Sequence, residues 1–298
     1  MSLRTQLALI AALAAITSSA HAAVAPDWAP VAQALGKAGA VQADGGYKVP
    51  LPRSDLHVTL DGVPLKAGFA LGGWVAFAPM GKQAMVMGDL VLTQDEVSPV
   101  MKSLEENGFD ITALHNHLLR AEPMTLYMHV MGQGDPVKLA QTLHTALALS
   151  QTPLTAPAPA AGPAPDLGFI PAEIDQAIGA KGKVNNGILQ YTIPRKVPVR
   201  DGGMVVPASL GSAIAINFQP TGAGKAAITG DFVLSASEVN PVLRALRSNG
   251  IEVTALHSHM LDEQPQVFFM HFWANDDAQK LAQGLRAALD KVAIKRGG

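Results

Sequence analysis

The sequence has no cysteine in 298 residues. That absence excludes disulfides, thiolate metal ligands, cysteine nucleophiles and a lipid-modified cysteine. Charge is scarce as well: 15% of residues are charged, and 22 basic against 24 acidic side chains leave a formal net charge of −2. Such a balance carries no electrostatic footprint for nucleic acid or an anionic membrane surface. Aromatic residues amount to only 5%. No stretch approaches the roughly 18 uninterrupted apolar residues that a membrane-spanning helix needs. The glycines at Gly72-Gly73 and Gly222 to Gly224 lack a strand-GxGxxG-helix context, and no GxSxG elbow occurs. Neither a nucleotide cofactor nor a nucleophile motif is therefore indicated. What is present is a 48% apolar fraction with positive mean hydropathy. That composition rules out a disordered chain and predicts a large buried core in two ordinary domains.

Residues 1–22 run from Arg4 through the apolar stretch Leu7 to Ile16 and end on small residues at Ala20-His21-Ala22. This is the order of a secretory signal peptide. It predicts cleavage after Ala22 and a soluble, exported product with no stable membrane insertion. Export of a cysteine-free chain points to a bacterial periplasm.

The mature chain reads as a tandem repeat. Asn107 to Asp135 (NGFDITALHNHLLRAEPMTLYMHVMGQGD) aligns without gaps on Asn249 to Asp277 (NGIEVTALHSHMLDEQPQVFFMHFWANDD), an offset of 142 residues. The same offset carries Gly88-Asp89 onto Gly230-Asp231, Glu96-Val97 onto Glu238-Val239, Pro99 onto Pro241, and Lys138 to Gln141 onto Lys280 to Gln283. Between the copies, Gln151 to Asp166 alternates Pro and Ala, the composition of an extended spacer. The predicted organisation is a first repeat at 23–150, a Pro/Ala-rich linker at 151–166 and a second repeat at 167–298, each repeat folding alone.

Within one copy, Trp74 to Pro79 and Ala84 to Thr93 read as a β-hairpin. Thr93 and Glu96 have capping-box spacing, and Val97, Val100, Met101 and Leu104 continue at helical spacing until Asn107-Gly108 stops the helix. Two strands, Asp110 to Leu118 and Met124 to Met131, follow around Glu122-Pro123, and a second helix runs from Pro136 to Ala148. This order predicts an α+β fold, each repeat an antiparallel sheet with helices on one side.

The run GxEVTALHxHML…P…FFMHFW at Gly250 to Trp273, its looser copy at Gly108 to Met131, and the segments Arg53 to Val58, Asp61-Gly62, Gly88-Asp89 and Val91-Leu92 resemble the LppY/LpqO family of exported bacterial proteins. The resemblance covers nearly the whole mature chain. It implies an exported tandem protein of unestablished activity. The lipoprotein character of some members does not carry over, because this chain has no cysteine to acylate.

The chemistry-bearing residues are His115, His117 and His129, and their copies His257, His259 and His271. Strand periodicity places His115 and His117 on one face about 7 Å apart, and the hairpin returns His129 beside them. Three neutral imidazoles from adjacent strands suit Zn²⁺ with an open fourth position, and after zinc a metal such as copper. The spacing therefore predicts one divalent transition metal per repeat. His57, two residues after Asp55 and without a histidine counterpart in the second copy, is a candidate fourth ligand in the first. Glu122 and Asp55 are candidate general bases if the site is a hydrolase or lyase. A metal-free polar or catalytic cluster and a purely structural role for the histidines are the alternatives. His115-x-His117 followed by Glu122 resembles a cupin pattern, but flanking helices do not fit a pure β-barrel. Glu96 and Glu238 are read as helix caps. Met85, Met87, Met124, Met128 and Met131 would suit Cu(I), but Met85 and Met87 fall on Ala227 and Thr229, so core filling is the better reading. Asp89 and Asp231 are either turn residues or neighbours of the site.

Overall fold

The computed structural model describes residues 26–155 and 166–295. The signal-like segment 1–22 and most of the Pro/Ala spacer lie outside the described residues. The first repeat runs α1 (Ala29–Leu35), β1 (Ala40–Val41), β2 (Tyr47–Pro52), β3 (Thr59–Leu60), β4 (Val63–Pro64), α2 (Ala67–Ala70), β5 (Gly72–Met80), β6 (Gln83–Leu92), α3 (Gln94–Glu106), β7 (Asp110–His115), β8 (Leu126–Gly134) and α4 (Pro136–Leu147). The second runs α5 (Pro171–Ile178), β9 (Lys183–Asn185), β10 (Ile188–Pro194), β11 (Arg200–Asp201), β12 (Met204–Val205), β13 (Ala213–Gly222), β14 (Lys225–Leu234), α6 (Ala236–Ser248), β15 (Glu252–His257), β16 (Phe268–Asp277) and α7 (Ala278–Leu289).

Each repeat builds a six-stranded sheet in one order, β1-β2-β5-β6-β8-β7 and β9-β10-β13-β14-β16-β15. Every neighbouring pair in these sheets is antiparallel. The fold is thus α+β in two matching halves. Local chemistry sets the element ends. Thr93 and Ser235 close capping boxes with Glu96 and Glu238, and Gly108 and Gly250, at φ 82° and 74°, turn the chain out of α3 and α6.

Side-chain alternation along the strands decides which face meets what. In β5 and β6, Val75, Phe77, Ala84 and Val86 pack with Leu35, Leu104 and Leu143 of the helices, whereas Ala76, Ala78, Met85 and Met87 join the core of the second repeat. In β13, Ile214, Ile216 and Phe218 pack with Leu281 and Leu285 of α7. The alternate residues turn to the first repeat: Asn217 Nδ2 donates to the Phe69 carbonyl at 3.2 Å and Gln219 Nε2 to the Pro64 carbonyl at 2.8 Å. A further apolar cluster mixes Leu60, Phe69, Leu118 and Tyr127 with Ile188, Ala227 and Trp273. The layers therefore run helices, sheet, sheet, helices, and the faces turned away from the long helices oppose each other, with the short helical turns Ala67–Ala70 and Ala208–Leu210 against them. Met85 and Met87 are core residues on that buried face.

Candidate metal centre at the seam of the repeats

Register pairs one histidine with one aspartate in each sheet. His129 on β8 lies directly opposite Asp89 on β6, and His271 on β16 opposite Asp231 on β14. Directly opposed residues of an antiparallel pair share a face. A register shift between Ile111 and Ala113 in β7 then seats His115 opposite Tyr127, and the equivalent shift between Val253 and Ala255 in β15 seats His257 opposite Phe269. The third histidine arrives differently from the period-of-two expectation. β7 ends at His115 and β15 at His257, so His117 and His259 sit in loops. Their backbones are held across the seam, where Thr254 Oγ1 donates to the His117 carbonyl and Thr112 Oγ1 to the His259 carbonyl, each at 2.5 Å. The His115 and His117 ring centres are 5.0 Å apart.

The two trios meet. His115 stacks on His257 with ring centres 3.5 Å apart, His117 on His271 at 3.7 Å, and His129 on His259 at 3.7 Å. Since each contact maps onto itself or onto another under the 142-residue offset, the repeats are related by a pseudo-two-fold axis through the His115–His257 pair. The two trios expected from spacing are not far apart but adjacent in one continuous cluster, because the sheet faces that carry them are the faces that oppose.

Burial sets the protonation of these rings. It pushes the His115 imidazolium down to about 3, with His257 adding to the shift, and that of His257 down to about 4. His117, His129, His259 and His271 are held well below the ordinary histidine range by burial and by the neighbouring rings. All six are neutral at pH 7, with a lone pair to offer. Three of the six are oriented by the other ring nitrogen. His115 Nδ1 donates to the Asn116 carbonyl at 3.1 Å, His257 Nδ1 to that of Ser258 at 3.1 Å, and His271 Nδ1 to that of Gly230 at 2.8 Å. The Gly88 carbonyl stands beside His129 and opposes the lowering of its pKa. A protonated Nδ1 leaves Nε2 free for a cation, the arrangement usual around metal-ligating histidines.

The Nε2 atoms of all six histidines, and Oδ1 of both Asp89 and Asp231, are buried without a hydrogen-bond partner. Asp89 Oδ2 lies 3.6 Å from His117 Nε2, and Asp231 Oδ2 3.4 Å from His259 Nε2. Burial pushes the Asp89 carboxyl up to about 7 against the pull of Lys48, and pushes Asp231 well above the carboxylate range, with Asp89 adding to the shift. Potential ligand atoms within 4.8 Å of one another group as Asp89, His115, His117 and His129; as Asp231, His257, His259 and His271; and as His115, His129, His257 and His259. A cavity of about 10 Å³ beside His129 and His259 is walled partly by Met87, Met131 and Met260, room for about one water.

His57, Asp55 and Glu122 are not brought to the cluster. β2 ends at Pro52 and residues 53–58 form a turn and irregular chain, so Asp55 and His57 do not share a strand face. His57 is exposed, and Asp55 is engaged by the buried Arg53 guanidinium at 2.7 Å. Glu122 is exposed, and its backbone exchanges hydrogen bonds of 2.8 and 2.9 Å with Thr59. The residues that spacing left undecided are Asp89 and Asp231. Their signal is the Gly-Asp pair repeated at the 142-residue offset: the glycine carbonyl orients a histidine and the aspartate stands beside it.

No curated protein matches the sequence. Among solved structures, the chain is similar to the trimeric bacterial microcompartment shell protein PduB at 12% identity over 86% of this chain and 91% of that chain, with a TM-score of 0.22. It is similar to EtuB from Clostridium kluyveri at 8% identity over 84% of this chain and 90% of that chain, with a TM-score of 0.19. Neither likeness carries an argument about fold or function. Residues 29–149 and 172–291 each match the family described as Domain of Unknown Function (DUF1259), and with both halves and most of its length covered, the chain belongs to that family.

Proposed function

We propose that this is an exported, periplasmic protein of the LppY/LpqO type that binds a divalent transition metal, zinc first and copper second, in the histidine–aspartate cluster at the seam of its repeats. One observation carries the reading: six imidazole Nε2 atoms and two carboxylate oxygens are buried together with no partner. Leaving so many polar atoms unsatisfied is costly, and a cation satisfies them at once. Copper stands second because buried neutral imidazoles suit it after zinc. Export rests on the signal-like segment ending Ala20-His21-Ala22. The hydrolase or lyase reading is weaker here, since Glu122 and Asp55, its candidate bases, stand away from the cluster.

Elemental analysis of the mature protein purified after export tests the reading. Stoichiometric zinc or copper is expected, with a mass corresponding to a start at Ala23. Replacing His115 and His117 together with Ala should cut affinity by at least 100-fold while the far-UV circular dichroism spectrum stays unchanged. Absence of metal after reconstitution with Zn²⁺, Cu²⁺, Ni²⁺ and Fe²⁺ would return the histidines to packing.

A further inference from the structure

We infer that the cluster takes two metal ions side by side, each held by three histidines and one aspartate of a single repeat, an inference that rests on the metal-binding reading above. The donor count leads there. Eight buried atoms lack a partner, and a zinc-type ion takes about four ligands, so one ion leaves half of them unsatisfied and two ions satisfy all.

Ring geometry supports this grouping at the pairs that contain His115 and His257. Two imidazoles bound through Nε2 to one tetrahedral ion, each nitrogen about 2.0–2.1 Å from it, have ring centres about 5 Å apart. Within the first repeat, His115 lies 5.0 Å from both His117 and His129. Within the second, His257 lies 5.0 Å from His259 and 4.9 Å from His271. The pairs across the seam are face to face at 3.5 and 3.7 Å, with interplanar angles of 21°, 23° and 27°. Sharing one ion at 3.5 Å would force an N–metal–N angle of roughly 65°, far from tetrahedral. His115 and His257 therefore serve different ions, as do His129 and His259. The competing set of His115, His129, His257 and His259 contains both of these stacked pairs. It also leaves out both aspartates, His117 and His271. Each single-repeat set supplies its own carboxylate, from Asp89 or Asp231, and the stacked pairs keep the two sets adjacent.

The test uses the full mature chain. Titration with Zn²⁺, with bound metal counted after gel filtration, should give two ions per chain. One tightly bound ion overturns this inference and keeps the metal-binding reading; none overturns both. Asp89→Asn and Asp231→Asn should each lower the count from two to one, and a count of two in both variants overturns the assignment of the aspartates. Independently of either variant's effect on folding, the wild-type protein loaded with Cu²⁺ gives a second readout by electron paramagnetic resonance. A spin-coupled pair is expected, since ions sharing such a site sit about 3.5–4 Å apart. Two full uncoupled signals at two ions per chain would overturn the side-by-side arrangement.

Discussion

Gly230 illustrates how single residues prepare the centre. A Cβ at this position would lie 2.0 Å from the Ala215 carbonyl oxygen, so the strand spacing next to Asp231 requires glycine. Its own carbonyl accepts the Nδ1 proton of His271 at 2.8 Å. Replacing Gly230 with Ala should destabilise the fold by about 3 kcal/mol, the upper range for overpacking, and should weaken metal binding by displacing the acceptor that aims His271. A denaturant midpoint and a metal titration on the same variant check both effects; an unchanged midpoint would refute the strain argument. Among the candidate ligands, the histidines were legible as residue types at repeated spacing. Asp89 and Asp231 were not, because a Gly-Asp pair also reads as a turn until the register shows which strand it opposes.

Among the elements, α3 and α6 begin in matching ionic clips. Glu96 accepts from the Thr93 and Gln151 backbone N–H groups at 2.8 Å and from Arg53, a guanidinium 1% exposed, at 2.7 Å. Glu238 does the same with Ser235, Ala293 and Arg195. Burial alone would raise these carboxyls, but the arginine and backbone donors outweigh it and hold both below the usual glutamate range. A carboxyl depressed in the folded state contributes stability that is complete above the unfolded-state value and is lost as pH falls through the folded one. Stability should therefore decline on acidification below the ordinary glutamate range. Glu96→Gln should cost about 3 kcal/mol at pH 7, as expected for breaking a buried pair, and should make that decline shallower. Unfolding free energies measured between pH 7 and pH 3 check the slope; an acid limb identical to wild type would exclude Glu96 as a contributor. The capping spacing was legible in the sequence. Arg53 as the buried partner was not, since it lies 43 residues from Glu96.

For the whole molecule, the opposed sheet faces make the repeats interdependent. The cluster joining Leu60, Phe69 and Tyr127 to Ile188 and Trp273 belongs to neither half alone, so the described chain should unfold in one cooperative transition by calorimetry. Two resolved transitions would instead support independent repeats. Metal bound only by the folded state adds stability of about 2.7 kcal/mol at a free concentration 100-fold above Kd, so removal by a chelator should lower Tm by several degrees. An unchanged Tm would count against a ligated native state. The sequence by itself determined the tandem organisation, the strand and helix order, the helix caps and the six histidines. These are local patterns of period two or 3.6, repeated at one fixed offset. Only the tertiary structure decided that the two trios stack into one cluster, that Asp89 and Asp231 complete it, and that His57, Asp55 and Glu122 stand apart. Those outcomes depend on which apolar faces oppose and on where β2 and β7 end, and contacts between residues more than a hundred positions apart leave no periodic trace along the chain.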